Sequence, residues 1–198
     1  MANTVKVRSG TAAQLVTLGA LEAGELGRET DTDKMYIGDG TNNHEILVLG
    51  TAMGENNAIM LEPTLSADGK YSGIVETGIA GVTLAFGDLC YFAVADSRWE
   101  LADATVVATS KGRLGICVLA ATGDAEATTM LTYGKIRADT AFSALTTVGA
   151  PVFVSETPGD VTSTIPTKAT DVVVRIIGEA VTGNVLFFKP DGAYVEYV

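Results

Sequence analysis

Positive charge is scarce in this chain: 13 Lys and Arg stand against 24 Asp and Glu, a formal net charge of −11. Phosphate backbones and anionic headgroups are gripped by clustered cations, so neither nucleic acid nor a charged lipid surface is an expected partner. Cysteine is nearly absent. Cys90 and Cys117 are the only two, with no CxxC spacing, which excludes a disulfide-stapled fold and a zinc ribbon. Both read as buried, reduced thiols. Long apolar runs are missing: none approaches the ~20 residues of a membrane helix, and no basic stretch leads an apolar N-terminal segment as in a signal peptide. The expectation is a protein made in the cytosol and not inserted in a membrane.

Catalytic groups are sparse as well. His44 is the only histidine and lies in the polar run Asn42-Asn43-His44-Glu45. No Gly-x-Ser-x-Gly elbow accompanies it, so a Ser-His-Asp triad is not expected. No phosphate-cradling glycine loop occurs. Asp31, Asp33 and Asp39 are spaced like a calcium loop, but Met35, Tyr36 and Asn42 stand where an oxygen ligand, the turn glycine and the closing Glu belong. A glycosidase needs two facing carboxylates; 24 acidic residues could supply them, but 198 residues leave no room for a long body to carry such a cleft. We therefore expect no enzyme, no catalytic residue, no cofactor and no metal ion.

What is abundant is β-forming. Thr (25), Val (21) and Ile (10) supply 56 of the 198 residues, and branched side chains fit a pleated surface. Asp39-Gly40, Asp68-Gly69, Gly123-Asp124, Pro158-Gly159-Asp160 and Asp191-Gly192 mark turns. Between them, Met35–Ile37, Glu45–Leu49, Leu89–Val94, Leu114–Leu119, Thr129–Tyr133, Pro151–Val154, Val172–Ile177 and Val185–Phe188 read as strands. Val172–Ile177 runs apolar without alternation, as a strand buried on both faces or at a subunit interface does. Thr11–Leu18 alone has helical spacing, with Ser9 or Thr11 as cap. The expected fold is mainly β: a short intertwined β module over residues 1–50, a linker with a possible hairpin over 51–81, and a β-barrel or sandwich over 82–198.

Two stretches carry a family resemblance. Arg8-Ser9-Gly10-Thr11-Ala12, then Gly24-Glu25-Leu26-Gly27-Arg28-Glu29-Thr30-Asp31-Thr32-Asp33-Lys34-Met35-Tyr36-Ile37-Gly38-Asp39-Gly40, resemble the N-terminal module of tailed-phage fibres, tailspikes, receptor-binding proteins and phage hyaluronidases. The resemblance implies an intertwined homotrimer attached to the virion and free of catalysis. The residues agree with that. Strands this short cannot bury their own apolar faces, so Leu26, Met35, Tyr36 and Ile37 need a neighbouring copy and are the expected trimer interface.

Further along, Gly87-Asp88-Leu89-Cys90-Tyr91-Phe92, Trp99-Glu100-Leu101-Ala102-Asp103-Ala104, Tyr133-Gly134-Lys135-Ile136-Arg137 and Gly149-Ala150-Pro151-Val152-Phe153-Val154-Ser155 resemble a small β-barrel of phage tail and head fibres, and more loosely capsid-decoration proteins.

These resemblances imply a virion structural protein synthesised in host cytoplasm, with itself and other tail or capsid proteins as partners. A tail fibre or spike would touch a host surface glycan or protein through barrel loops, with Arg98, Trp99, Asp124, Glu126 and Lys168 as contact residues. Trp99 has a competing reading as core or trimer contact. The alternative role is a capsid decoration or head-fibre protein, and a polysaccharide hydrolase stands behind both.

Overall fold

The computed structural model describes residues 7–17, 19–31, 34–46 and 60–198. They divide into two compact units, 1–60 and 61–198. Residues 47–49 of the expected strand Glu45–Leu49, Leu18 of the expected helix, Asp33 and residues 51–59 of the expected linker lie outside the described set.

In the first unit β1 (Val7–Gly10), α1 (Ala12–Thr17), β2 (Leu26–Glu29), β3 (Met35–Gly38) and β4 (Asn43–Ile46) build one sheet in the order β1-β2-β3-β4. β1 and β2 are parallel, so the chain needs a crossover between them, and α1 is that crossover. Its start is set by a reciprocal cap: Thr11 Oγ1 accepts the Gln14 N–H at 3.3 Å and Gln14 Oε1 accepts the Thr11 N–H at 2.9 Å. Of the two candidate caps, Thr11 is the one used. Leu21 is the one buried apolar side chain among the described residues of this unit. It fits because the sheet beneath has no side chains there: a Cβ on Gly27 would stand 2.8 Å from Leu21 Cδ1, and one on Gly38 would collide with it as well.

The second unit is larger and mainly β. β5 (Tyr71–Ile79), β6 (Leu89–Ala93), β7 (Arg98–Leu101), β8 (Leu114–Leu119), β9 (Ala127–Arg137), β10 (Pro151–Val154), β11 (Val161–Thr162), β13 (Ile176–Thr182) and β14 (Val185–Phe188) form one nine-stranded sheet. A short α2 (Val107–Ser110) lies between β7 and β8, and β12 (Val173–Val174) pairs separately with β15 (Val195–Glu196).

β9 organises the sheet. β5 runs along it from Ala127 to Ile136, while β8 pairs with Thr129–Leu131 and β14 with Gly134–Arg137. The strand therefore belongs to two half-sheets, and it bends between them. Gly134 has φ 142°, and opposite it lies Gly73, where a Cβ would run into the Tyr133 carbonyl. The sheet as a whole curls into a half-barrel. Gly81 N donates to Trp99 O at 2.9 Å, bringing the end of β5 against β7. Leu89 N donates to Gly159 O at 2.7 Å and Gly159 N to Ala102 O at 2.9 Å, tying β6 and the end of β7 to the segment after β10.

The curl leaves strands buried on both faces. Leu89, Ile116 and Leu131 are cross-strand neighbours pointing into the main core with Phe142, Ile177, Leu186 and Phe188. Their neighbours Cys90, Cys117 and Met130 point the other way, into a second core around Trp99. Both thiols are free and buried, and burial pushes their pKa values up.

Two expectations are corrected here. Residues 61–81 are not a linker, because Tyr71–Ile79 is a nine-residue strand of the second unit. Val172–Ile177 is not one strand but β12 and the start of β13, broken at Arg175. That side chain is buried and donates to the carbonyls of Ser110 (2.7 Å), Gly112 (2.6 Å) and Asp191 (3.1 and 2.6 Å). Burial lowers its pKa, and saturation by carbonyl dipoles compensates the guanidinium for lost water.

Candidate functional site

In the first unit the register sorts the four expected interface residues. Val7, Leu26 and Ile37 are successive partners across β1, β2 and β3, so they form one apolar row. Met35 and Ile46 pair beside them on the same face. Tyr36 pairs with Gly27 and points to the opposite face. Leu26, Met35 and Tyr36 are half-buried, whereas Ile37 is 40% and Val7 49% exposed. Among the described residues the row thus keeps its two ends, Val7 and Ile37, exposed.

Polar side chains brace the turns of this unit. Arg8 donates to both oxygens of Glu25 at 3.1 and 3.0 Å, and Glu25 Oε2 also accepts the Glu22 N–H at 2.9 Å. Asp39 accepts from the N–H groups of Thr41 (2.7 Å) and Asn42 (2.6 Å) and lies 2.8 Å from His44 Nε2. These contacts, His44 foremost, hold the Asp39 carboxyl well below the usual carboxylate range. His44 thus serves a turn.

In the second unit the structure brings Arg98, Asp124 and Glu126 together and leaves Lys168 apart. The turn 96–98 and the loop 121–126 meet because Arg98 NH1 is ion-paired with Asp124. Ala80 locks the same end: its N–H donates to Glu126 O and its carbonyl accepts from Ala125 N, both at 2.8 Å. The Glu126 carboxylate accepts the Thr122 N–H (2.6 Å) and hydroxyl (2.8 Å), which lower its pKa. Lys168 instead places Nζ 5.9 Å from the Tyr197 ring.

Trp99 is corrected as a contact residue. It lies on β7 beside the turn, and its side chain is fully buried, which fits the competing core reading. Phe92 meets it edge-on at 5.3 Å and Arg113 covers it at 5.6 Å. Gly78 and Gly115 make room for the indole; a Cβ on Gly78 would approach Nε1 to 2.6 Å. No ligand reaches that ring.

Two further loops are braced in the same way. Arg137 and Asp139 form a two-bonded pair at 2.8 and 3.2 Å that also takes the Asn184 amide. Glu156 holds Thr167. A cleft of about 420 Å³ lies elsewhere, lined by Glu62, Thr64, Leu65, Ser66, Lys70, Tyr71 and Ser72. Sequence reasoning passed over it because these small polar residues look like linker. The only available signal was the aromatic Tyr71 shortly after the Asp68-Gly69 turn. Among the described residues, no group of three or more His, Cys, Asp or Glu is placed to hold a metal ion, and no helix is long and apolar enough to cross a membrane.

Against this geometry, residues 5–42 match the family model described as the major tropism determinant N-terminal domain, a phage tail fibre-related domain. The match takes in β1, α1, β2 and β3 and ends where β4 begins. The second unit lies outside it. Comparison with curated proteins yields no match, and comparison with solved structures yields none either.

Proposed function

We propose that this chain is a non-enzymatic structural protein of a bacteriophage virion, a homotrimeric tail fibre or spike component. The first unit would be the trimerisation and attachment module, and the second would face the host. The observation that carries the reading is the match of residues 5–42 to a tropism-determinant domain. The apolar row Val7–Leu26–Ile37 supports it physically, since Val7 and Ile37 are exposed among the described residues and a sheet with an exposed apolar stripe gains by meeting copies of itself. Weak individual contacts suffice at the host surface, because three copies per fibre multiply avidity.

One observation favours the decoration role instead. The charges of the exposed loops are spent on each other, as in Arg98–Asp124 and Arg137–Asp139, which suits a knob that binds nothing specific. Antibody labelling of particles, with adsorption competition by the purified full chain, separates the two. Label on the tail and reduced adsorption support the fibre. Label on the capsid without competition replaces it with decoration.

A further inference from the structure

We propose that the outer edge of β5 takes a short, extended, basic segment of a different protein as an added strand. Among the strands, β5 pairs with β9 alone. At its start the Lys70 carbonyl accepts the Arg137 N–H at 2.9 Å, and beyond its end the Ala80 N–H donates to Glu126 O at 2.8 Å. Main-chain groups alternate in direction along a strand, so the even-numbered residues between these points face β9, and Gly73, Val75 and Thr77 face outward. The register shift does not disturb this alternation. Thr132, the residue skipped between the pairs Ile74–Tyr133 and Val75–Leu131, belongs to β9. Among the described residues, no hydrogen bond takes the outward N–H and C=O groups of Gly73, Val75 and Thr77. Gly73 is exposed, and the surface of a glycine is main chain.

Such an edge is a template for strand addition, and soluble proteins blunt it with Lys, Pro or a bulge. Tyr71–Ile79 contains neither Lys nor Pro, the bulge lies in its neighbour, and its one charge, Glu76, is ion-paired with Arg113. The side chains beside the opening suit a β-branched strand. Val75 is 41% exposed on one face, and Ile74 (53%) and its cross-strand partner Tyr133 (44%) are exposed on the other. Both ends of the opening are closed. Past Ile79, Ala80 bridges Trp99, and Gly81 N donates to Trp99 O at 2.9 Å. At the other end, Ser72 Oγ accepts the Glu62 N–H at 2.9 Å, which sets Glu62 alongside. A short segment fits between these flanks. A second β5 brings the same two flanks with it and a like charge of −11, a field that repels a copy and attracts a cationic strand.

That the partner is another virion protein rests on the proposed function; strand addition itself does not. The test is titration of the isotope-labelled full chain with the end-blocked peptide Lys-Thr-Val-Thr-Val-Thr-Lys, read by amide chemical shifts and hydrogen exchange. We expect saturable shifts at the Gly73, Val75 and Thr77 amides and exchange there slowed about tenfold or more. The same peptide with its central amides N-methylated should leave them unmoved, and Glu in place of both Lys should weaken binding about fivefold or more. Val75→Pro removes an outward N–H and no bond to β9, so it should abolish binding while keeping the wild-type fluorescence of Trp99. Should that variant fail to fold, Val75→Lys takes its place and should weaken the peptide about fivefold. The proposal is overturned if these amides do not shift, if the N-methylated or the Glu peptide binds equally well, or if the folded variants bind as wild type does. Protection of these amides that grows with protein concentration in the absence of peptide would give the edge to a second copy and overturn it too. Peptide binding by a chain that antibody labelling does not find on particles would overturn the virion reading and leave the edge standing.

Discussion

The two units solve the burial problem differently. The second buries apolar side chains on both faces of its central strands, with Leu89, Ile116 and Leu131 in one core and Cys90, Cys117 and Met130 around Trp99 in the other. The first, among its described residues, buries Leu21 and leaves Val7 and Ile37 of the row Val7–Leu26–Ile37 exposed. A sheet of four-residue strands has one useful interior, and small domains seldom bury enough surface alone. On the proposed reading, burial that the described residues do not supply would come from association.

The largest expected effect follows directly. Residues 61–198 expressed alone should fold as a monomer, and residues 1–60 alone should be unfolded when dilute and gain structure only as they associate. Trp99, the one tryptophan and fully buried, reports the second unit by fluorescence. Its urea midpoint should not depend on protein concentration, whereas the circular dichroism of the shorter fragment should. A folded monomeric 1–60 would break the comparison and remove the argument for trimerisation through that sheet.

How much of this was legible varied with the range of the forces involved. Leu114–Leu119, Pro151–Val154 and Val185–Phe188 are strands at the residues where branched and aromatic runs placed them, because local propensity and burial agree there. The Thr11-x-x-Gln14 cap and the Asp-Gly turns are local too. β5 was missed because Gly73 and Gly78 look like breaks. They are instead the places where Gly134 and the Trp99 indole approach the strand, neighbours supplied by residues far along the chain. Trp99 sits among Asp96, Ser97, Arg98 and Glu100, which kept a contact reading open beside the core one. Its burial depends on Gly115 and the returning end of β5. The cleft beside the start of β5 was illegible for the same reason: Lys135 and Arg137 define it from about 70 residues away.

Arg175 offers a sharper cut within the second unit. Its guanidinium makes four hydrogen bonds to three backbone carbonyls, joining the segment after α2 to the 191 turn. Arg175→Met keeps the apolar stem and strands those carbonyls, which should cost about 3 kcal/mol. The second unit's urea midpoint should drop, with the association of the first unit unchanged. Arg175→Lys should fall between, since one ammonium cannot serve all three. A stable Arg175→Met would show that water replaces the guanidinium there.

The smallest effect distinguishes the units by the sign of their response to acid. Asp88, between the two sheet halves, is half-buried; burial raises its pKa above the ordinary 3.8, the Ala85 N–H at 2.7 Å opposes this, and the charge of Asp160 adds to it. The folded state therefore holds its proton to higher pH than the unfolded chain does. Stability from this group is fully present below the unfolded value and falls as pH rises through the folded one. Asp39 runs the other way. His44 and the N–H groups of Asn42 and Thr41 favour its charged form, so its contribution is present above 3.8 and is lost as pH falls. Asp88→Asn keeps an oxygen for Ala85 and removes the charge. It should raise the fluorescence midpoint at pH 7, and the gain should shrink to nothing as pH falls below 3.8. Asp39→Asn should weaken association of the first unit at pH 7 and matter least in acid. If Asp88→Asn stabilised equally at every pH, the gain would come from packing, and the contrast in charge between the two units would not hold.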